Sequence, residues 1–348
     1  MDKNQLGLRF TYHIYKSRLI KFRLFDQCKS LTPDKYPPGL NELLFSKECD
    51  DFVAQEQLRC SELNYQIVSF LDHDYPYPIQ HFKNMPPCIY IEGDMPWSEK
   101  AIAIVGSRKA TSYGLSIAYS LSKDISNKNN VVVSGLAYGI DTQAHLGALA
   151  GSGKTVAVLG CSLEHSYPKS NQNLRNKIVH QGAVISEFPL GTPPAPYLFP
   201  VRNRIISALS ELVLVVEAAE KSGALITVDY ALEQGKEIYA IPGNINSSLS
   251  KGTNQLIKNG ANICTCVNDL ISYEEESLYG KTISKKEMKS SDLSPLEINI
   301  LSILNSGPLT RSEIVEKNLS EASDTLHAIT MLELNGDIEL ISGKYVKI

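Results

Sequence analysis

The sequence predicts an α/β protein organised around a doubly wound, mostly parallel sheet. Six short apolar runs recur between residues 101 and 241, each too short for a helix. Leu212 to Val216 among them is apolar on both faces, as a strand in the middle of a parallel sheet must be. Several of the runs end at Gly or Ser and lead into helical spacing, which is the period of strand–loop–helix units.

The predicted elements follow in chain order. Residues 1 to about 95 alternate apolar-aromatic patches with polar ones, such as Phe22, Leu24 and Phe25 and then Leu40, Leu43, Leu44 and Phe45, so short helices are expected. The stretch Asp74 to Pro78 followed by Met85-Pro86-Pro87 is too rich in proline for a helix, because each proline removes a donor and fixes φ. Cys88 to Ile91 reads as a strand. The sheet proper takes Ala101 to Val105, Val131 to Val133, Val156 to Leu159, Ala183 to Ile185, Leu212 to Val216 and Glu237 to Ile241, with helices over Tyr113 to Ile125 and Asp141 to Ala150.

After Asp269 a polar, poorly periodic run containing Glu274 to Glu276 and Lys285, Lys286 and Lys289 reads as a linker. Helices are then expected over Pro295 to Asn305, Thr310 to Lys317 and Ser323 to Asn335, with two short strands around Ser342-Gly343. That is the outline of a winged helix-turn-helix. Its third helix carries Asp324, His327 and Glu333 and no Lys or Arg, which departs from a helix that reads DNA and favours a protein-contact or regulatory role. The resulting division is 1–72 helical, 73–272 sheet, 273–291 linker and 292–348 winged-helix-like.

Composition narrows the function. With 348 residues, 43% apolar and 21% charged, the chain has the make-up of a folded protein of two or three domains. A net charge of −4 argues against indiscriminate coating of nucleic acid. Its distribution is uneven: residues 100–272 hold 15 Lys and Arg against 11 Asp and Glu, a net of +4, so the flanks carry −8. A localised anion site fits that pattern. Seven cysteines without a Cys-x-x-Cys pair suggest reduced thiols, and no metal site is expected. Neither an apolar leader core nor a run near ~20 apolar residues is present, so a cytoplasmic chain with no membrane partner is expected.

The motifs converge on one edge of the sheet. In open α/β sheets, ligands sit outside the carboxyl ends of the strands. Gly106-Ser107-Arg108 lies between a strand and a helix, where backbone N–H groups, a hydroxyl and a guanidinium can meet a phosphate. Ser134-Gly135 and Ser222-Gly223 open two further loops of this kind, and Lys169 follows another strand end. Phe199, Arg202, Asn203 and Arg204 crowd cations and an aromatic ring at the start of a helix, which suits phosphate and base together. The plain alternative makes Arg202 and Arg204 surface cations paired with Glu211 or Glu217. Gly151 to Thr155 imitates a P-loop but runs from helix to strand, so no helix N-terminus faces the anion. Asp141 and His145, four residues apart, are read as a helix cap and a histidine that packs or pairs with it, rather than as an acid–base pair.

Taken together, Gly106-Ser107-Arg108, Ser134 to Asp141 with His145, Tyr167-Pro168, Ser186 to Pro189, Phe199 to Ser207, Ser222 to Thr227 and Pro242-Gly243 closely resemble the DNA-processing protein A (DprA, or Smf) family over roughly residues 75 to 270. The resemblance implies an extended Rossmann-like domain, flanked by a small helical N-terminal domain and a winged-helix-like C-terminal one. It implies a homodimer that binds single-stranded DNA without sequence preference and helps load the RecA recombinase during natural transformation, acting as a mediator and not an enzyme, without a cofactor. By position, Arg108 and the block from Phe199 to Arg204 would line the DNA pocket, with Lys169 beside them. Two rivals remain. One is a nucleotide phosphoribohydrolase of the lysine-decarboxylase-like group, whose glutamate position is Tyr230 here. The other is an adaptor that binds proteins through residues 290–348.

Overall fold

The computed structural model describes residues 3–96, 100–271 and 294–347, the last without residues 306, 319, 321, 335–337 and 342–343. The expected linker at 273–291 and the Ser342-Gly343 turn lie outside the described residues. Two compact units divide after residue 272.

The first unit opens with helices α1 (Lys3–Thr11), α2 (Phe22–Cys28), α3 (Leu40–Leu44) and α4 (Lys47–Glu62), as the apolar patches predict. Leu6, Phe10, Phe25, Cys28, Leu40 and Leu44 form their common core. Strand β1 (Gln66–Ser69), which the sequence reading missed, then pairs antiparallel with β2 (Cys88–Gly93). Between them the proline-rich stretch contains one helical turn, α5 (Tyr77–Gln80), where a helix was not expected. Pro is tolerated in a first turn, whose N–H groups have no partner in any case.

The alternating region follows as β3 (Ala101–Val105), α6 (Ser112–Asn127), β4 (Val131–Ser134), α7 (Ile140–Ala150), β5 (Thr155–Val158), α8 (Gln172–Gln181), β6 (Ala183–Ser186), α9 (Leu198–Ala208), β7 (Leu212–Val215), α10 (Ala224–Glu233), β8 (Glu237–Ala240), α11 (Lys251–Lys258) and β9 (Asn262–Ile263). The nine strands lie in the order β1-β2-β6-β5-β4-β3-β7-β8-β9. Pairing is parallel from β6 to β9 and antiparallel at β1–β2 and β2–β6. The chain thus winds outward from β3 to β6, then returns to β7 on the other side of β3. That reversal opens a crevice at the carboxyl ends of the central strands.

Alternation along the strands fills both faces. Val105, Val133, Val158 and Val215 meet Ile205 and Ile206 of α9 and Val228 of α10 on one side. Ile102, Ile104 and Val132 meet Ala118, Leu121 and Ile125 of α6 and Ala144 and Ala148 of α7 on the other. Leu8 of α1 and Val53 and Cys60 of α4 complete the covering around Tyr90 and Val184. All seven cysteines are free, six of them buried.

The second unit contains α12 (Pro295–Leu304), α13 (Arg311–Lys317), α14 (Ala322–Leu334) and an antiparallel hairpin of β10 (Ile338–Ile341) and β11 (Lys344–Lys347). Capping boxes fix two of its helix starts, Ser294 with Glu297 and Thr310 with Glu313. Leu309 bridges to Tyr345, and Ile300, Ile314, Ile329, Leu332 and Tyr345 form the core.

His145 lies wholly inside the first unit and pairs with Thr155, not with Asp141. Thr155 Oγ1 donates to the Val132 carbonyl at 2.7 Å, so it accepts from His145 Nδ1–H at 2.8 Å. Nε2 is then a buried acceptor with no partner among the described residues. Burial, reinforced by the nearby Arg202 cation, holds the imidazole pKa down to about 3, against an ordinary value of 6.5. Between these values the unfolded chain binds a proton that the folded chain does not, so this contribution to stability is complete above pH 6.5 and is lost as pH falls toward 3. In urea titrations from pH 6.5 to 4, His145→Leu is expected to show a shallower loss of unfolding midpoint than the wild-type chain, and equal slopes would refute this assignment.

Candidate functional site

The crevice at the switch point is a cleft of about 560 Å³. The loop after β3 gives it Gly106, Ser107, Arg108 and Lys109, α9 gives Phe199, Arg202 and Asn203, and the loop before α10 gives Ser222 and Gly223. Phe199, Arg202, Asn203 and Ile206 stand at i, i+3, i+4 and i+7, so the helix turns all four to the cleft.

Three side chains stack at its mouth. The Arg108 guanidinium lies over the Phe199 ring, 5.2 Å from its centroid. Tyr167 lies 5.2 Å from the same ring, tilted by 34°. Arg108, Lys109 and Tyr167 are exposed, while Phe199 is half-buried. Neither Arg108 nor Lys109 meets a carboxylate at ion-pair distance among the described residues. The rim therefore holds exposed cationic charge without a carboxylate partner among the described residues, beside a stack of two aromatic rings.

Arg202 is placed differently. Its Nη1 donates to the carbonyls of Gly135, at 2.8 Å, and Val158, and its Nε donates to Asn203 Oδ1 at 3.2 Å. Only 3% of it is exposed. Burial lowers its pKa to about 10, with Asp141 opposing that change and Arg108 adding to it, so it stays cationic at neutral pH. Asp141, also on the cleft floor, has its pKa raised by burial against the pull of Arg202 and of the Ala137 N–H. Asn203 Nδ2 reaches the Gly223 carbonyl at 3.4 Å, joining α9 to the Ser222–Gly223 loop.

Several expectations need correction. Arg204 is not in the cleft. Five residues after Phe199, at about 100° per residue, it emerges from another side of α9. It forms a bidentate pair with Glu187 at 2.5 and 2.6 Å and donates to the Asn84 carbonyl at 2.7 Å, with Phe22 beneath its guanidinium. Tyr15 donates to the same Glu187 carboxylate. Burial alone would lower the Arg204 pKa, and the Glu187 carboxylate more than reverses it. Neither arginine is a surface cation paired with Glu211 or Glu217.

Ser134 and Gly135 lie beneath the site and do not line it. Ser134 Oγ donates to the Ile104 carbonyl at 2.7 Å, and a Cβ on Gly135 would overlap the Arg202 guanidinium. Lys169 is exposed but stands outside the lining, two residues beyond Tyr167.

Nor is the loop at Gly106 to Arg108 an open phosphate cradle. Ser107 N–H donates to the Glu217 carbonyl at 2.7 Å, and Ser107 Oγ accepts from Lys109 N–H at 3.1 Å. The Glu217 carboxylate accepts from Thr111 N–H and Oγ1 at 2.8 and 2.6 Å, occupying the start of α6. The N–H groups of Ser107, Lys109 and Thr111 are thus spent within the protein, and the exposed side chains of Arg108 and Lys109 supply the positive charge for an anion. The sequence reading did not select Tyr167 or Lys109 for the site. An aromatic before Pro168 and a second cation after Arg108 were the available signals.

Among the described residues, no group of three or more His, Cys, Asp or Glu side chains is arranged to hold a metal ion, and no helix is long and apolar enough to cross a membrane.

A cationic, ring-lined cleft at the switch point of a doubly wound sheet marks a Rossmann-like α/β protein with its candidate ligand site at the carboxyl ends of the central strands. Comparison with known proteins makes this specific. The family model described as DNA recombination-mediator protein A matches residues 66–275. DNA processing protein DprA of Streptococcus pneumoniae is 41% identical over 207 residues, 59% of this chain and 72% of the relative. Its X-ray structure superposes with a TM-score of 0.64 at 30% identity, covering 78% of this chain and 97% of that one. Protein Smf of Escherichia coli is 34% identical over 291 residues, 82% of this chain and 78% of the relative. DNA processing protein A of Helicobacter pylori, whose structure describes a single-stranded DNA binding mode, superposes with a TM-score of 0.53 at 28% identity, covering 59% of this chain and 93% of that one. The chain belongs to the DNA recombination-mediator protein A family, the DprA or Smf proteins.

The buried pair of Arg204 and Glu187 sets a stability requirement. Glu187→Ala leaves the Arg204 guanidinium buried without its carboxylate and is expected to destabilise the chain by about 3–5 kcal/mol. Gly135→Ala displaces the Arg202 guanidinium from its two carbonyls and is expected to cost about 1–3 kcal/mol through unsatisfied buried groups. Urea unfolding followed by circular dichroism measures both.

Proposed function

We propose that the chain binds single-stranded DNA in this cleft, without sequence preference, and as a homodimer promotes loading of the RecA recombinase in DNA uptake and homologous recombination. The observation that carries the reading is the exposed stack of Arg108, Phe199 and Tyr167. An unpaired strand presents a row of phosphates and the open faces of its bases. Binding it without regard to sequence takes cations for the first and aromatic rings for the second. A duplex hides its base faces, and stacking on Phe199 is then lost. The single-strand binding mode of the Helicobacter pylori relative supports the same reading.

Within the candidate set, Arg108, Phe199 and Asn203 contact DNA, with Ser222 and Gly223 forming the opposite wall. Arg202 acts from below by holding α9 in place. The exposed Ile263 on edge strand β9, together with Leu256 and Ile257 of α11, offers an apolar surface for the second copy. A role as mediator rather than enzyme and a reducing cytoplasmic setting complete the proposal.

Fluorescence anisotropy with labelled oligothymidylate tests the binding. Phe199→Ala is expected to weaken it roughly 5- to 150-fold, the equivalent of about 1–3 kcal/mol for one lost stacking face. Arg108→Ala should weaken it too and should flatten the salt dependence by about 0.7 log unit per log unit of salt for each phosphate released. Unchanged affinity in both variants, or equal affinity for duplex, would defeat the reading. Stimulation of RecA assembly on coated single strands, compared between wild type and Arg108→Ala, tests the loading role.

A further inference from the structure

A second cavity, of about 350 Å³, lies on the far side of Arg108 and Lys109, which line both cavities. Tyr138, Thr142 and Gln143, from the loop after β4 and the first turn of α7, form its other wall. Its volume falls within the range of small-ligand pockets, about 300–1,000 Å³. Tyr138 is 50% exposed, in a loop packed against the loop after β3. Gly139, at φ 76°, takes a conformation open to glycine, and its missing Cβ lets the loop press against the Ser107 carbonyl. Ile140 N–H donates to that carbonyl at 3.2 Å. Tyr138 is therefore held in fixed relation to Arg108 by direct contact between the two loops. Gln143 lines the cavity, and its side-chain amide has no hydrogen-bond partner among the described residues.

Resting on the single-strand reading above, we propose that this cavity is a second base-binding subsite. The strand stacks one base at Phe199, crosses the ridge of Arg108 and Lys109 with a phosphate between them, and places a neighbouring base on Tyr138 with Gln143 at its polar edge. The ridge explains why two exposed cations stand side by side between two aromatic faces. Each cavity supplies one stacking surface, and the shared wall supplies the charge that a phosphate linking two bases requires. Tyr138 is thereby a binding residue, and the length of DNA the chain occupies is set by both loops and not by the first cleft alone.

The test uses the full chain with fluorescein-labelled thymidine monophosphate and a 12-nucleotide oligothymidylate, and the variants Tyr138→Ala, Tyr138→Phe, Gln143→Ala and Phe199→Ala. Tyr138→Ala is expected to weaken the 12-mer roughly 5- to 150-fold, the range for one lost stacked base, while Tyr138→Phe restores wild-type affinity. Gln143→Ala should weaken the 12-mer by less than Tyr138→Ala. For the mononucleotide, whose one base engages the first cleft alone, the loss from Tyr138→Ala should be smaller than for the 12-mer. A 12-mer affinity within two-fold of wild type for Tyr138→Ala, while Phe199→Ala is weakened, overturns the second subsite and leaves the first cleft standing. Equal loss on both lengths places Tyr138 in the first cleft and also overturns it. Absence of single-strand binding by the wild-type chain removes the underlying reading, and the subsite with it.

Discussion

The site depends on one buried cation. Arg202 drives its guanidinium under the ends of β4 and β5 and satisfies the carbonyls of Gly135 and Val158 there. Carbonyls at strand ends have left the ladder and need donors. A positive group placed among them holds α9 across the crevice at a set depth, and that depth decides where Phe199 meets Arg108 and Tyr167. The contact is expensive to form, since burial works against the charge, and Asp141 offsets part of that cost. Once formed, it leaves little freedom for the helix to slide.

Two arginines in one tripeptide therefore do two different jobs. Arg202 fixes the depth of α9, while Arg204, turned away by the helical period, joins it to Glu187 and through that carboxylate to Tyr15 of the N-terminal region. The helix that presents Phe199 is clamped from below and from the side. Both clamps are charge-assisted and sheltered from water, where such bonds are strongest and most sensitive to loss of one partner.

Much of this was legible in the sequence. The central strands are readable because each is a short apolar run, and several change to Gly or Ser where the sheet ends. The meeting of Gly106 to Arg108 with Phe199 to Asn203 and Ser222-Gly223 followed from placing each at a strand end of one parallel sheet. Two kinds of information were not legible. Tyr138 lies in a loop that its glycines mark, and nothing local shows that it lines one cavity with Arg108. Arg204 was grouped with Arg202 because they are close in sequence, although a pitch of 3.6 residues separates them in space. Ser134 and Gly135 look like open loop residues until the partner of Gly135 is seen to be a side chain 67 positions away. Short strands β1 and β9 lack the apolar runs that marked the others, and only their neighbours identify them.

The antiparallel strand β1 has a further consequence. It covers the outer backbone edge of β2 through four paired positions, from Gln66 opposite Ile91 to Ser69 opposite Cys88. A fragment trimmed to begin at residue 73 would lose that cover and present an apolar, ready-made template for strand addition by another molecule. Recombinant pieces of this protein that start after β1 are thus prone to clump through their own sheets, whatever their capacity for DNA. Solubility here begins with residues that never approach the cleft.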